Sequence, residues 1–239
     1  VASAGDSGTH PWLLATADGN WHLVFRSETD TGLRYAGAPG AQRPAYPAVA
    51  ALSGTDGGTD HGRGLDAALH PDDRLAVAFR DATLRTLRHI EETTVDAWGS
   101  AGVVDSSSNR GTHPDLFIDG AGRRHVVYRD EHVSGLVFAG ETGAAVPGNV
   151  TLEILSGAGE SHDHGRALAA ALPPGGLFAV SFYNATNDRL DLVGESGPGE
   201  WTLRTVVASA NDPGAHHALT VAGDNLNYHA VYADNAERR

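Results

Sequence analysis

GTHPWLLATADGNWHLVFR (8–26) and GTHPDLFIDGAGRRHVVYRD (111–130) follow one pattern. Each places a histidine before a proline, then an apolar run, an Asp-Gly turn, and an alternating run that carries a second histidine. Anchored on the first histidine, the pattern recurs at His10, His61, His113, His164 and His216, at intervals of 51, 52, 51 and 52 residues. An aromatic residue follows in every copy: Phe25, Phe79, Tyr128, Phe182 and Tyr232. Self-similarity at a fixed period of this length marks a repeat architecture.

Each copy reads as four short strands. The first follows the histidine, as in PWLLAT (11–16), DLFID (115–119) and ALTVAG (218–223). The second alternates: NWHLVFR (20–26), RLAVAFR (74–80), RHVVYRD (124–130), LFAVSFY (177–183), NYHAVYAD (227–234). The third is GLRYAG (32–37), LRTLRHIEE (84–92), GLVFAG (135–140) or RLDLVGE (189–195). The fourth returns to the next histidine, as in YPAVAAL (46–52), VTLEILSG (150–157) and WTLRTVVAS (201–209). Period-two patterning over such lengths, with turn residues between, is the strand signature. Four strands per unit of about 50 residues is the β-propeller arrangement.

The sequence therefore predicts an all-β fold, a β-propeller of five four-stranded blades of 51–52 residues, with 1–239 as a single propeller domain. The last unit stops after its second strand, which predicts an incomplete blade that another segment or a second chain completes. If the chain is a fragment, strict alternation of unit types predicts a sixth blade. Odd units carry the second-strand histidines His22, His125 and His229. Even units share Asp60-His61-Gly62-Arg63 and Asp163-His164-Gly165-Arg166.

These motifs resemble the sialidase-type (BNR-like) propeller repeats of bacterial secreted proteins. They are also similar to polysaccharide lyases on that scaffold, whose units read His-Pro-x-Leu, Asp-Gly, His-Val-x-Tyr and Leu-x-Tyr-Ala. The Ser-x-Asp-x-Gly-x-x-Trp box of true sialidases is absent, and their arginine triad finds no residue-by-residue counterpart. The resemblance implies a propeller and a secreted or periplasmic location, without implying sialidase activity.

Composition narrows the chemistry. Of 239 residues 41% are hydrophobic, enough for a packed core, and 30 glycines with 11 prolines suit many short strands. There is no cysteine, hence no disulfide, thiolate ligand or cysteine nucleophile. A formal charge of −13 argues against nucleic acid and anionic membranes as partners. No apolar run reaches the roughly 20 residues of a membrane span. The lack of an initiating Met and of a signal peptide points to a processed or trimmed chain. Gly-rich phosphate loops are missing, so no nucleotide cofactor is expected, and so are Gly-x-Ser-x-Gly, His-Glu-x-x-His and carboxylates paired at short spacing.

A histidine opening the inner strand of every blade would form a circle of imidazoles near one mouth of the axis. His10, His61, His113, His164 and His216 are thus candidate ligands for a transition metal such as Zn, Fe or Cu, since imidazole suits all three. The competing reading is a consensus residue that bonds within its own blade. His22, His125 and His229 occupy the place of Ala76 and Ala179 in the even blades, which favours packing between blades over a second ligand shell. Arginines cluster at the same end: Arg26, Arg80 and Arg129 close second strands, and Arg63 and Arg166 follow the even-blade histidines. They are the candidate catalytic or anion-binding groups, because guanidinium forks grip carboxylate or sulfate. Three functions stand at this point. One is a metal-binding propeller, and potentially a metalloenzyme, acting on an anionic small molecule or saccharide. The others are a metal-independent lyase-like or carbohydrate-binding propeller and a structural module.

Overall fold

In the computed structural model the described residues are 7–17, 19–38, 49–54, 58–94, 97–107, 109–141, 150–156, 163–173, 177–197, 200–208, 217–221 and 228–233. His216 lies outside them. The described residues contain strands and turns and no helix. They fall into two compact units, Val1–Leu116 and Phe117–Arg239.

The first unit opens with β1 (Ser7–Ala15), β2 (Trp21–Ser27), β3 (Leu33–Ala38) and β4 (Val49–Ser53), an antiparallel sheet in the order β1-β2-β3-β4. The second sheet runs β5 (His61–Leu69), β6 (Leu75–Asp81), β7 (Thr86–Thr94) and β8 (Ala97–Trp98). Its outer strand is interrupted at Gly99 and resumes as β9 (Gly102–Asp105), which also pairs with β7. The third sheet is β10 (Thr112–Ile118), which begins in the first unit and ends in the second, with β11 (Arg124–Asp130), β12 (Gly135–Glu141) and β13 (Val150–Ser156) of the second.

In the second unit, β14 (His164–Ala171), β15 (Ala179–Asn184), β16 (Arg189–Gly197) and β17 (Glu200–Ala208) form the fourth sheet. Its β18 (His217–Val221) and β19 (Tyr228–Tyr232) make a two-stranded ladder, which is all that the described residues show of the fifth repeat. Apart from the β7–β9 pairing, neighbouring strands in each sheet are consecutive in sequence, the up-and-down meander expected of a blade.

The repeat spacing has a structural cause. In odd units the aromatic follows the first histidine by 15 residues where the chain is described, and in even units by 18. The difference lies in where the histidine stands on the first strand. His10 precedes Trp12 by two residues and His61 precedes Asp66 by five, although Trp12 and Asp66 both pair with the residue before the aromatic. The register shifts in both unit types, between Ser7 and Trp12 as between His61 and Leu65 or His164 and Leu168. Gly62 and Gly165 turn the chain there with φ of +83 and +78. A side chain is strained at such φ values, which is why both even units spell His-Gly.

The cores repeat as faithfully. In the first unit Val24, Leu33, Tyr35, Ala67, Leu75, Val77, Phe79 and Ile90 pack together. In the second, Val127, Leu136, Phe138, Ala170, Phe178, Val180, Phe182 and Val193 do the same. Every member of the second cluster lies 103 residues after its counterpart (127 − 24 = 103, 193 − 90 = 103). Each core thus joins one odd blade to the even blade that follows. The second strands β6 and β15 are buried along almost their whole length, so they read as apolar runs.

Candidate functional site

The described histidines that open the repeats fall into two environments. His61 is 4% exposed; its Nδ1 lies 2.7 Å from Ser53 Oγ and its Nε2 lies 3.1 Å from Asp81 Oδ2. The ring rests on Phe79 at 5.3 Å. His164 is buried in the same way against Phe182 at 5.4 Å. His10 and His113, by contrast, are exposed and sit at φ of 50 and 51. Among the described residues, no three His, Asp or Glu side chains converge as a metal-ligand group.

Two of the three second-strand histidines pack. His22 Nδ1 lies 2.9 Å from the Tyr35 hydroxyl. His125 stacks on Phe138 at 5.8 Å and tilts against Phe178 at 5.1 Å, with Nε2 3.2 Å from Asp119 Oδ2. His229 is exposed on β19.

The candidate arginines are built into clamps at the blade ends. Arg26 is buried and donates to Asp60 Oδ1 from Nη2 (2.9 Å) and Nε (3.1 Å), and it also pairs with Glu28. The other Asp60 oxygen accepts Arg63 Nε at 2.5 Å. The second unit repeats the clamp: Arg129 donates to Asp163 Oδ1 and to the His164 carbonyl at 2.5 and 2.6 Å, and Arg166 Nε reaches Asp163 Oδ2 at 2.5 Å. Burial opposes ionisation of Asp163, but hydrogen bonds from Arg166 and Arg129 outweigh it and hold its pKa below the ordinary value. Arg80 differs, donating to Asn109 Oδ1 at 2.8 Å.

The first unit holds a second cluster that the pattern of histidines and arginines did not reveal. Asp66 on β5 is 3% exposed. Its Oδ1 accepts the Ala67 N–H at 2.8 Å and its Oδ2 accepts the Leu116 N–H at 2.6 Å, tying β5 to β10. It is also hydrogen-bonded to the side chain of half-buried Asp115 on β10. Burial first, then the Asp115 charge, push the Asp66 pKa well above the ordinary carboxyl value. Two carboxyls in hydrogen-bond contact share a proton, because both cannot ionise cheaply. Beside them Trp12 on β1 donates its indole N–H to the Ala67 carbonyl at 2.8 Å and is 41% exposed.

These three residues occupy one register position of three first strands. Trp12 pairs with Val24, the residue before Phe25, and Asp66 pairs with Ala78, the residue before Phe79. Asp115 stands two residues after His113, as Trp12 stands two after His10. In the second unit the position holds Ala169, opposite Ser181, and Ala218, opposite Val231. The 103-residue offset that preserves the core therefore converts Trp12 to Asp115, Asp66 to Ala169 and Asp115 to Ala218. Side chains that a packing repeat does not require are the ones free to serve a ligand. The signal lay in the sequence as a departure from the repeat, at 49 residues' separation (115 − 66 = 49), beyond the reach of any short motif.

No protein-family model matches the chain, and no curated protein does. Among solved structures it is similar to an α-L-arabinofuranosidase from Lactobacillus brevis, with 14% identity and a TM-score of 0.55 over 95% of this chain and 83% of that one. It is similar to a GH43 β-1,3-galactosidase, with 11% identity and a TM-score of 0.53 over 82% and 75% of the two chains. It also resembles a PL25 ulvan lyase, with 12% identity and a TM-score of 0.61 over 89% of this chain and 58% of that one. GH43 glycosidases are five-bladed β-propellers. The fold of this chain is a β-propeller; these identities speak to fold and leave the chemistry to the site.

Proposed function

We propose that this propeller binds and acts on a saccharide along the inner strands β1, β5 and β10. Trp12 serves as the platform and the Asp66–Asp115 pair as one acid–base group. The observation that carries the reading is an exposed indole beside two carboxyls in hydrogen-bond contact, at a single register position that the duplicated unit does not keep. An aromatic face accepts the apolar C–H face of a sugar ring, and carboxyl oxygens accept its hydroxyl protons. Asp66, held by two backbone N–H groups, keeps a proton on the pair, and half-buried Asp115 delivers it toward a glycosidic or leaving-group oxygen. The similar structures named for an arabinofuranosidase, a galactosidase and an ulvan lyase support a saccharide as the ligand. The test is titration of the full chain with a panel of oligosaccharides, read by tryptophan fluorescence and by release of reducing ends or unsaturated products. Binding that Trp12→Ala weakens by about tenfold or more, and turnover that Asp115→Asn abolishes, is expected. A panel without binding, or binding that neither substitution changes, overturns the reading.

A transition metal (Zn, Fe or Cu) is a second proposal, now carried by His10 and His113 alone among the described histidines. Both keep an exposed imidazole at a left-handed φ that costs on the order of 1 kcal/mol. Metal analysis of the purified protein decides it: near one metal per chain, lost in His10→Ala and His113→Ala, is expected, and a metal-free chain whose stability ignores added Zn, Fe or Cu refutes it.

A further inference from the structure

The arginines at the blade ends led the sequence to an anionic ligand, and their geometry now argues otherwise. Arg26 and Arg129 are buried and already paired with Asp60 and Glu28, and with Asp163 and Glu131. Arg63, three residues before Asp66 on β5, holds Asp60 through its Nε. The charge that acts most strongly on Asp66 is the like charge of Asp115, and its other close partners are the Ala67 and Leu116 backbone N–H groups. Guanidinium forks are what recognise a uronate or a sulfate ester. At the Trp12–Asp66–Asp115 position a ligand meets an indole face and a carboxyl pair instead.

We infer that the site on β1, β5 and β10 takes an uncharged sugar and discriminates against uronates and sulfated sugars. This rests on the saccharide reading above and goes beyond it by naming the substrate class. The physical cause is local. A carboxyl pair holding one proton still carries one negative charge. A uronate brought against it pays like-charge repulsion in a partly desolvated setting. A neutral ring lays its C–H face on Trp12 and turns hydroxyls to Asp115 without that cost. A formal charge of −13 on the chain adds long-range repulsion of the same sign.

The experiment compares sugars that differ only by oxidation at C6. Galacto-oligosaccharides are paired with galacturono-oligosaccharides of equal length, and gluco- with glucurono-oligosaccharides. Each is titrated into the full chain by calorimetry at low and at high salt. The neutral member of a pair should bind about tenfold tighter or more at low salt. The gap should narrow as salt screens the charge, and Asp115→Asn should narrow it at fixed salt. The salt series keeps the test valid if that variant folds poorly. Tighter binding of the uronate, or a preference insensitive to both salt and Asp115→Asn, overturns the neutral-sugar inference while leaving a saccharide site standing. Binding of no sugar of either kind overturns the saccharide reading itself, and this inference with it.

Discussion

His61 Nε2 lies 3.1 Å from Asp81 Oδ2, while His164, at the same place in the other even blade, stands across the ladder from Asn184. Asp81 is fully buried and also receives the Leu84 N–H at 2.9 Å and Arg88 Nη1 at 3.3 Å. In the second unit the charges are redistributed: Asn184 Nδ2 donates to Asp191 Oδ2 at 3.1 Å, and Arg189 Nε donates to the same oxygen at 2.8 Å. Both solutions close the same turn after the second strand with buried hydrogen bonds.

The even-blade histidines are therefore internal ties, whereas His10 and His113 are exposed. Replacing His61 with Ala removes a ring packed on Phe79 and deprives both Ser53 and Asp81 of a partner. It should cost about 2–4 kcal/mol of unfolding free energy. His10→Ala and His113→Ala remove exposed side chains and should shift stability by no more than about 0.5 kcal/mol. Urea denaturation of the three variants separates the classes; equal losses at all three would refute the division.

The clamps at the blade ends make a second prediction. Arg129→Ala strips Asp163 and the His164 carbonyl of a buried donor and should cost about 2–4 kcal/mol. Arg166→Ala removes a side chain that is 64% exposed and should cost less than about 1 kcal/mol. The pH dependence follows from the depressed pKa of Asp163. A carboxyl bound more tightly as the anion in the folded state stabilises above its unfolded pKa, near 3.8, and loses that contribution as pH falls below it. Arg129→Ala should accordingly flatten the acid limb of the thermal-stability profile. An acid limb as steep as the parent's would show that Asp163 draws its stability from elsewhere.

Much of this was legible in the chain because a repeat writes each answer several times. The first histidine, the aromatic and the alternating second strand located β1–β2, β5–β6, β10–β11, β14–β15 and β18–β19, since each unit must solve the same packing problem. What the pattern could not convey is direction and pairing. His10 and His61 look equivalent on the page, yet His10 stands two residues before Trp12 and His61 five before Asp66, so they occupy different positions of the first strand, one exposed and the other buried. Nor does a repeat advertise its exceptions: Asp66 and Asp115 meet only because β5 and β10 lie side by side.

The His-Gly dipeptide gives a backbone prediction. Gly62 has φ of +83, and a Cβ there would approach Leu33 Cδ1 to 3.2 Å. Gly62→Ala should lose about 1–2 kcal/mol through the left-handed conformation, with the crowding added. Gly58→Ala, where a Cβ meets nothing within 4 Å, is the control and should be near neutral. Thermal melts of the pair decide it, and a harmless Gly62→Ala would contradict the bulge geometry.

Asp66 sets the opposite slope to Asp163. Burial and the neighbouring Asp115 raise its folded-state pKa well above the ordinary 3.8, so the folded protein holds this proton more tightly than the unfolded chain does. That contribution is complete below about pH 4 and is lost as pH rises from there through the raised pKa. Asp66→Asn cannot titrate. Its amide nitrogen can donate to Asp115 in place of the shared proton, and its single oxygen can accept only one of the two N–H groups of Ala67 and Leu116 well. The variant should therefore be less stable than the parent by about 1–2 kcal/mol near pH 4. The deficit should shrink as pH increases, because the parent alone is paying to keep or lose the proton. Unfolding free energies of the two proteins between pH 4 and 8 give the result directly. Parallel curves would mean that Asp66 ionises in the folded state as it does in the unfolded chain, and the proton-sharing pair, with the acid–base role assigned to it, would have to be withdrawn.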